Sequence, residues 1–146
     1  MPGRLLEGPE LYRVADFVRD GLGCGCPDDC LRSIRVSSDA VAGSGAPFKR
    51  AVVGDRLLIY VLDRTRHGAL SELARVGLTE RNERHYNRFR LIMQGPVEEA
   101  DAAAAQGRFA SVAGTDAKAH LHFIEARALP AALQPEQALR PVASDV

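Results

Sequence analysis

Six consecutive apolar residues, Leu57-Leu58-Ile59-Tyr60-Val61-Leu62, constrain this chain more than any other stretch. A strand sends successive side chains to opposite faces, so a strand with water on one side alternates apolar with polar residues. An unbroken apolar run of this length instead marks a central strand covered on both faces, the best core candidate in the chain. It is far too short to span a bilayer, which takes about 20 apolar residues in a helix.

The neighbouring sequence supplies partners for it. Gly54-Asp55 favours a two-residue hairpin turn, so Phe48–Val53 and Arg56–Leu62 read as paired strands. Over Ser33–Ser38, Ile34 and Val36 alternate with Arg35 and Ser37, the pattern of a strand with one buried face. Phe89–Gln94, ended by Gly95-Pro96, and Lys118–Arg127 read as further strands. Helical spacing places Leu11, Val14, Ala15, Val18 and Leu22 on one face of a helix over Pro9–Leu22, with Pro9 suited to its first position and Gly23 to its stop. A short second helix is expected from Pro27. A longer one runs over His67–Asn87 with Leu70, Leu73, Ala74, Gly77 and Leu78 inward, and Gly77 is expected to interrupt it, since glycine costs about 1 kcal/mol there relative to alanine. Val97–Gln106 follows as an alanine-rich helix with acids in its first turn, Gly107–Asp116 reads as irregular, and residues 129–146 as a proline-containing tail. This order predicts one α+β domain over residues 1–146: an antiparallel or mixed sheet of about four to five strands, with three to four helices packed mainly on one face.

Charge narrows the partners. Nineteen basic and nineteen acidic residues cancel, which removes the overall positive field that recruits nucleic acid or acidic membranes. Arg4, Glu7 and Glu10 interrupt the first leucines, leaving no apolar core of a secretory signal, so a soluble cytoplasmic protein is expected. The abundance of arginine and alanine resembles the bias of a GC-rich bacterial genome rather than selection for phosphate binding.

The chemically distinctive segment is Cys24-Gly-Cys26-Pro-Asp-Asp-Cys30. Three cysteines confined to one turn cannot form the spread disulfide framework of a secreted mini-protein, and in a reducing compartment clustered thiols serve more often as ligands or redox groups. If Pro27 opens a helix, Cys26 is its N-cap, where unpaired N–H groups favour a thiolate, while Asp28 and Asp29 oppose it. Cys30 falls one helical turn beyond Cys26, so the three sulfurs can converge. Three thiolates suit zinc or an iron–sulfur cluster, and a closed zinc site needs a fourth ligand. His120 and His122, on one face of the last strand, are the candidate auxiliary ligands. Redox cycling needs only two sulfurs, and a Cys-x-Cys ring is strained and easily reduced. Buried packing of one or more thiols is the remaining reading.

The segment Phe17-Val-Arg-Asp-Gly-Leu-Gly-Cys-Gly-Cys-Pro-Asp-Asp-Cys-Leu31 resembles the N-terminal signature of an uncharacterised prokaryotic family that carries Leu-Gly-Cys-x-Cys-Pro, two acidic residues and then apolar positions. Cys30 departs from that pattern, which has an aliphatic residue there, so the resemblance singles out Cys24 and Cys26. It implies no activity, substrate or cofactor.

One other segment bears on function. Glu80-Arg-Asn-Glu-Arg-His-Tyr-Asn-Arg-Phe-Arg90 offers Arg81, Arg84, Arg88 and Arg90 for gripping phosphates, although Glu80 with Arg84 is also a helical ion pair on a solvated face. The resulting expectation is a cysteine-based metal-binding or thiol-redox module. Its alternatives are a self-associating interaction protein, joined through the hairpin and last strand, and an RNA or phosphate binder.

Overall fold

The computed structural model describes residues 3–23 and 28–135. Six strands form one mixed sheet in sequential order: β1 (Arg4–Leu5), β2 (Ile34–Ala40), β3 (Pro47–Val53), β4 (Leu57–Asp63), β5 (Arg88–Gln94) and β6 (Ala119–Ile124). β1 to β4 pair antiparallel, and β4, β5 and β6 pair parallel. Parallel neighbours require a crossover, and the two crossovers are the long helices α3 (Leu70–Arg84) and α4 (Glu99–Ala113). Two further helices, α1 (Gly8–Asp16) and the short α2 (Asp28–Leu31), precede β2; α1 runs on into a π-helical turn, Phe17–Gly21.

β4 is buried from Leu57 to Leu62, with both alternating sets of side chains in a core. Leu58, Tyr60 and Leu62 join Leu70, Leu73 and Ala74 of α3 and Phe109 of α4 on one side. Leu57, Ile59 and Val61 join Val14 and Ala15 of α1 and Val18 of the π-helical turn on the other. The expectation of helices mainly on one face is therefore corrected: α3 and α4 take one face and α1 the other. Leu129, Ala132 and Leu133, in the described part of the proline-containing segment, belong to the α1-side core beside two short 3-10 turns, Ala126–Ala128 and Ala131–Leu133. The sheet also has one more strand than the four to five expected, since two-residue β1 carries too little pattern to show in a sequence.

Local departures have local causes. Gly54 and Asp55 both adopt left-handed φ, as a primed hairpin turn demands, but Val53 pairs with Leu57, so Arg56 belongs to the loop. Its carbonyl accepts from the N–H groups of Asn87 and Arg88, tying the hairpin to the start of β5. The expected irregular stretch after Gln106 is helical to Ala113, because Ala105 and Phe109, one turn apart, both bury against the sheet. Asp63 starts a 3-10 segment, Arg64–Ala69, ahead of α3, and α3 ends at His85 in a left-handed cap. Among the described residues no helix is long and apolar enough to cross a membrane.

Gly77 does not interrupt α3; it lets the helix approach β5. A Cβ at this position would lie 2.2 Å from Cζ of Phe89, which is itself buried, edge-on to Tyr60 and stacked on Phe109. Gly77→Ala is expected to lower unfolding free energy by about 2 kcal/mol, the overpacking penalty outweighing the roughly 1 kcal/mol gain in helix propensity. Urea denaturation of the two proteins checks the sign.

Candidate functional site

Of the three cysteines, Cys24 and Cys26 lie outside the described residues, and the expected N-cap role of Cys26 lies there with them. Cys30 is a free thiol at 8% exposure. α2 holds it against the hairpin turn so closely that a Cβ on Gly54 would stand 2.6 Å from its Cα. Its Sγ lies 3.9 Å from Nη1 of Arg56. That environment is a packed helix-to-hairpin junction.

The four histidines separate. His67 sits in the 3-10 turn after β4 and His85 caps α3, at opposite ends of the sheet. His120 and His122 alternate on β6 and share a face, their ring centroids 6.4 Å apart. Across the strand pair, Arg90 stands opposite His120 and directs Nη1 to Nε2 of His122 at 2.8 Å. The same Nη1 lies 3.1 Å from the carbonyl of Leu22 and donates to it. Leu22 is the last residue of the first apolar helical face and lies two positions before Cys24, so the His120–His122 strand and the approach to the cysteine turn meet at Arg90.

Arg90 is an unusual core residue. It is 7% exposed, its flanking residues Phe89 and Leu91 are fully buried, and Nε has no hydrogen-bond partner among the described residues. Burial, reinforced by the like charge of Arg88, lowers its affinity for the proton. Burial and then the Arg90 charge push the His122 imidazole down to about 4. His122 is therefore neutral near pH 7, with Nε2 accepting from Arg90 and Nδ1 carrying the proton. His120 shifts down for the same reasons, burial first and then Arg90 and Arg88.

The arginines read together in the sequence divide between two faces. Arg88 and Arg90 alternate on β5 toward the α1 side. Arg81 and Arg84 are on α3, Arg81 bound to Asp116 at 2.5 Å and Arg84 on a separate cleft of about 1020 Å³ between α3 and the β2–β3 face. The expected Glu80–Arg84 ion pair does not form. Glu80 turns to the sheet instead, where Arg50 and Tyr60 both donate to its carboxylate. Burial alone would push the Glu80 carboxyl up, but those hydrogen bonds hold it below the usual range. Burial and the bond to Glu80 keep the Tyr60 phenol protonated. This network is internally satisfied, and the rest of the cleft mixes Arg35, Arg75 and Arg84 with Asp39, Asp55, Glu72 and Glu83, a polar surface of both signs.

Among the described residues no three His, Cys, Asp or Glu side chains are grouped to hold a metal ion. The histidine pair is a poor fit to one: the cationic Arg90 acts on both rings and Arg88 on His120, and Nε2 of His122 already accepts a hydrogen bond. No family model, curated protein or solved structure matches the chain.

The Arg90–His122 contact went unread in the sequence, although a signal exists: Arg88 and Arg90 alternate within an otherwise apolar strand, as His120 and His122 do in the next. The shift of His122 has a measurable consequence. Its folded-state value lies below the ordinary 6.5, so as pH falls the unfolded chain takes up this proton first. Stability owed to the neutral ring is present above pH 6.5 and is lost as pH drops toward about 4. His122→Gln is expected to flatten the decline in urea midpoint from pH 6.5 down to about pH 5, where most carboxylates remain ionised.

Proposed function

We propose that the chain is a thiol-based module in which Cys24 and Cys26 work as thiolates. The observation that carries this reading is Arg90: a buried guanidinium, without a carboxylate partner among the described residues, hydrogen-bonded to the carbonyl two residues ahead of Cys24. Covalent reach alone keeps a residue two positions along a chain within about 7 Å of its starting point. A nearby cation favours the charged form of a thiol and lowers its pKa, and here it works against Asp28 and Asp29, which oppose the thiolate. The same cation disfavours a divalent metal, so this setting supports thiol chemistry over ligation.

In that chemistry one thiolate attacks a disulfide of a substrate or partner, forming a mixed disulfide and expelling a thiolate. The second cysteine, deprotonated, then attacks the mixed disulfide, closes the Cys24–Cys26 bond and releases the other half. The substrate disulfide gains two electrons and the cysteine pair loses them. Strain in the Cys-x-Cys ring keeps the oxidised form readily reducible. Cys30, walled in beside Gly54 and Arg56, serves packing in this reading.

Self-association is a second reading, supported by β6, whose outer edge has no partner strand among the described residues. A solution mass of a single chain removes it.

The thiol reading is tested by alkylation with iodoacetamide across pH, located by peptide mass spectrometry. Cys24 or Cys26 is expected to react with a pKa about one unit or more below the ordinary thiol value of roughly 8.5, and Arg90→Met is expected to raise it by at least half of that difference. Two thiols that titrate at or above the ordinary value, or that show no change in Arg90→Met, overturn the reading.

A further inference from the structure

The α1-side face of β5 and β6 holds more positive charge than an anchor for Leu22 requires. Arg88 and Arg90 alternate on β5, His120 and His122 on β6, and register sets Arg90 against His120. Neighbouring strands lie about 4.8 Å apart and alternate residues about 7 Å apart, so the four side chains rise from a patch about the width of a small anion and its hydrogen-bond donors. His120 is exposed and Arg88 half-buried, which opens the patch to solvent above the buried Arg90.

This charge is not balanced within the described residues. Neither Arg88 nor Arg90 takes part in any of their ion pairs. Asp116 acts on His120 but is itself bound by Arg81 and by the N–H of Lys118. A carbonyl such as that of Leu22 accepts a hydrogen bond but does not neutralise a charge. Among the described residues the Nε–H of the buried guanidinium has no acceptor, a costly state that a further acceptor relieves. His122 contributes a donor that does not depend on pH near neutrality, because Arg90 fixes its proton on Nδ1.

We infer that Arg88, Arg90 and His120 form a seat for a tetrahedral oxyanion of the phosphate or sulfate type, either free or as the terminal group of a small phosphoester. Two arginines supply charge-assisted donors and His120 closes the outer side. The seat is built from strand residues and stands independently of the thiol reading; where thiolates form nearby, the two anions compete for the field of Arg90.

The test is titration of the uniformly ¹⁵N-labelled full chain with inorganic phosphate, and in parallel with glycerol phosphate, at constant ionic strength held by chloride. Saturable amide shifts are expected over residues 88–91 and 119–123 with at least one of the two. Phosphate alone identifies a seat for the free anion; glycerol phosphate alone or both identifies one for a phosphoryl group. Arg88→Gln is expected to weaken binding about tenfold, the loss of one charge-assisted hydrogen bond. Arg84→Gln, on the other face of the sheet, is expected to leave binding unchanged, and the Cys24→Ser/Cys26→Ser variant to retain it. Absence of saturable shifts with both probes overturns the seat, as does undiminished binding in Arg88→Gln. Loss of binding in the double cysteine variant overturns it too, because the anion would then depend on the thiols.

Discussion

Burial of β4 on both faces is the constraint to which the rest of the fold answers. Six side chains leave water on this strand, three to each side, and each set needs a cover. On one side the cover is α3, whose close approach depends on the absence of a side chain at Gly77 over the ring of Phe89. On the other it is α1, the π-helical turn that follows it, and the short 3-10 segments near residue 130. Burial of a large aliphatic side chain stabilises by roughly 1.5–3 kcal/mol, so β4 alone accounts for a substantial part of the driving force.

The same two-sided cover creates the electrostatic tension at β5. Parallel pairing beside β4 puts β5 inside the sheet, where its residues from Phe89 to Gln94 are buried. Arginine in such a strand is costly unless it finds partners, and Arg90 finds two neutral ones, the carbonyl of Leu22 and the ring of His122. The consequence spreads: His122 is forced neutral, His120 is shifted the same way, and the carbonyl of Leu22 is held against β5. A contrast within the same molecule is Arg50, whose charge is met by Glu80 and which leaves nothing to be satisfied.

Some of this was legible in the residues. The apolar run at 57–62 demanded a strand covered on both faces, and that demand was already at odds with helices on one face only; the structure resolves the conflict in favour of the run. Alternation found β2 and the histidine pair, and three- and four-residue spacing found α1 and α3. Helix propensity misplaces Gly77 because it counts only the helix itself, whereas the reason for glycine there is a ring on another element. Glu80 was assigned to Arg84 because four-residue spacing reports neighbours on one helix and is blind to Arg50 and Tyr60 on strands.

The sequence by itself determined most of the element types, the mixed α+β character and the grouping of three thiols within seven residues, because these follow from local periodicity and from adjacency along the chain. Only the tertiary structure decided that Arg90 meets both Leu22 and His122, that Cys30 is sealed against Gly54, and that the arginines of one segment part to opposite faces of the sheet. Those relations join residues tens of positions apart, and no local pattern records them. They are set by register: a strand's pairing fixes which side chains share a face, and a helix placed over that face fixes what they meet.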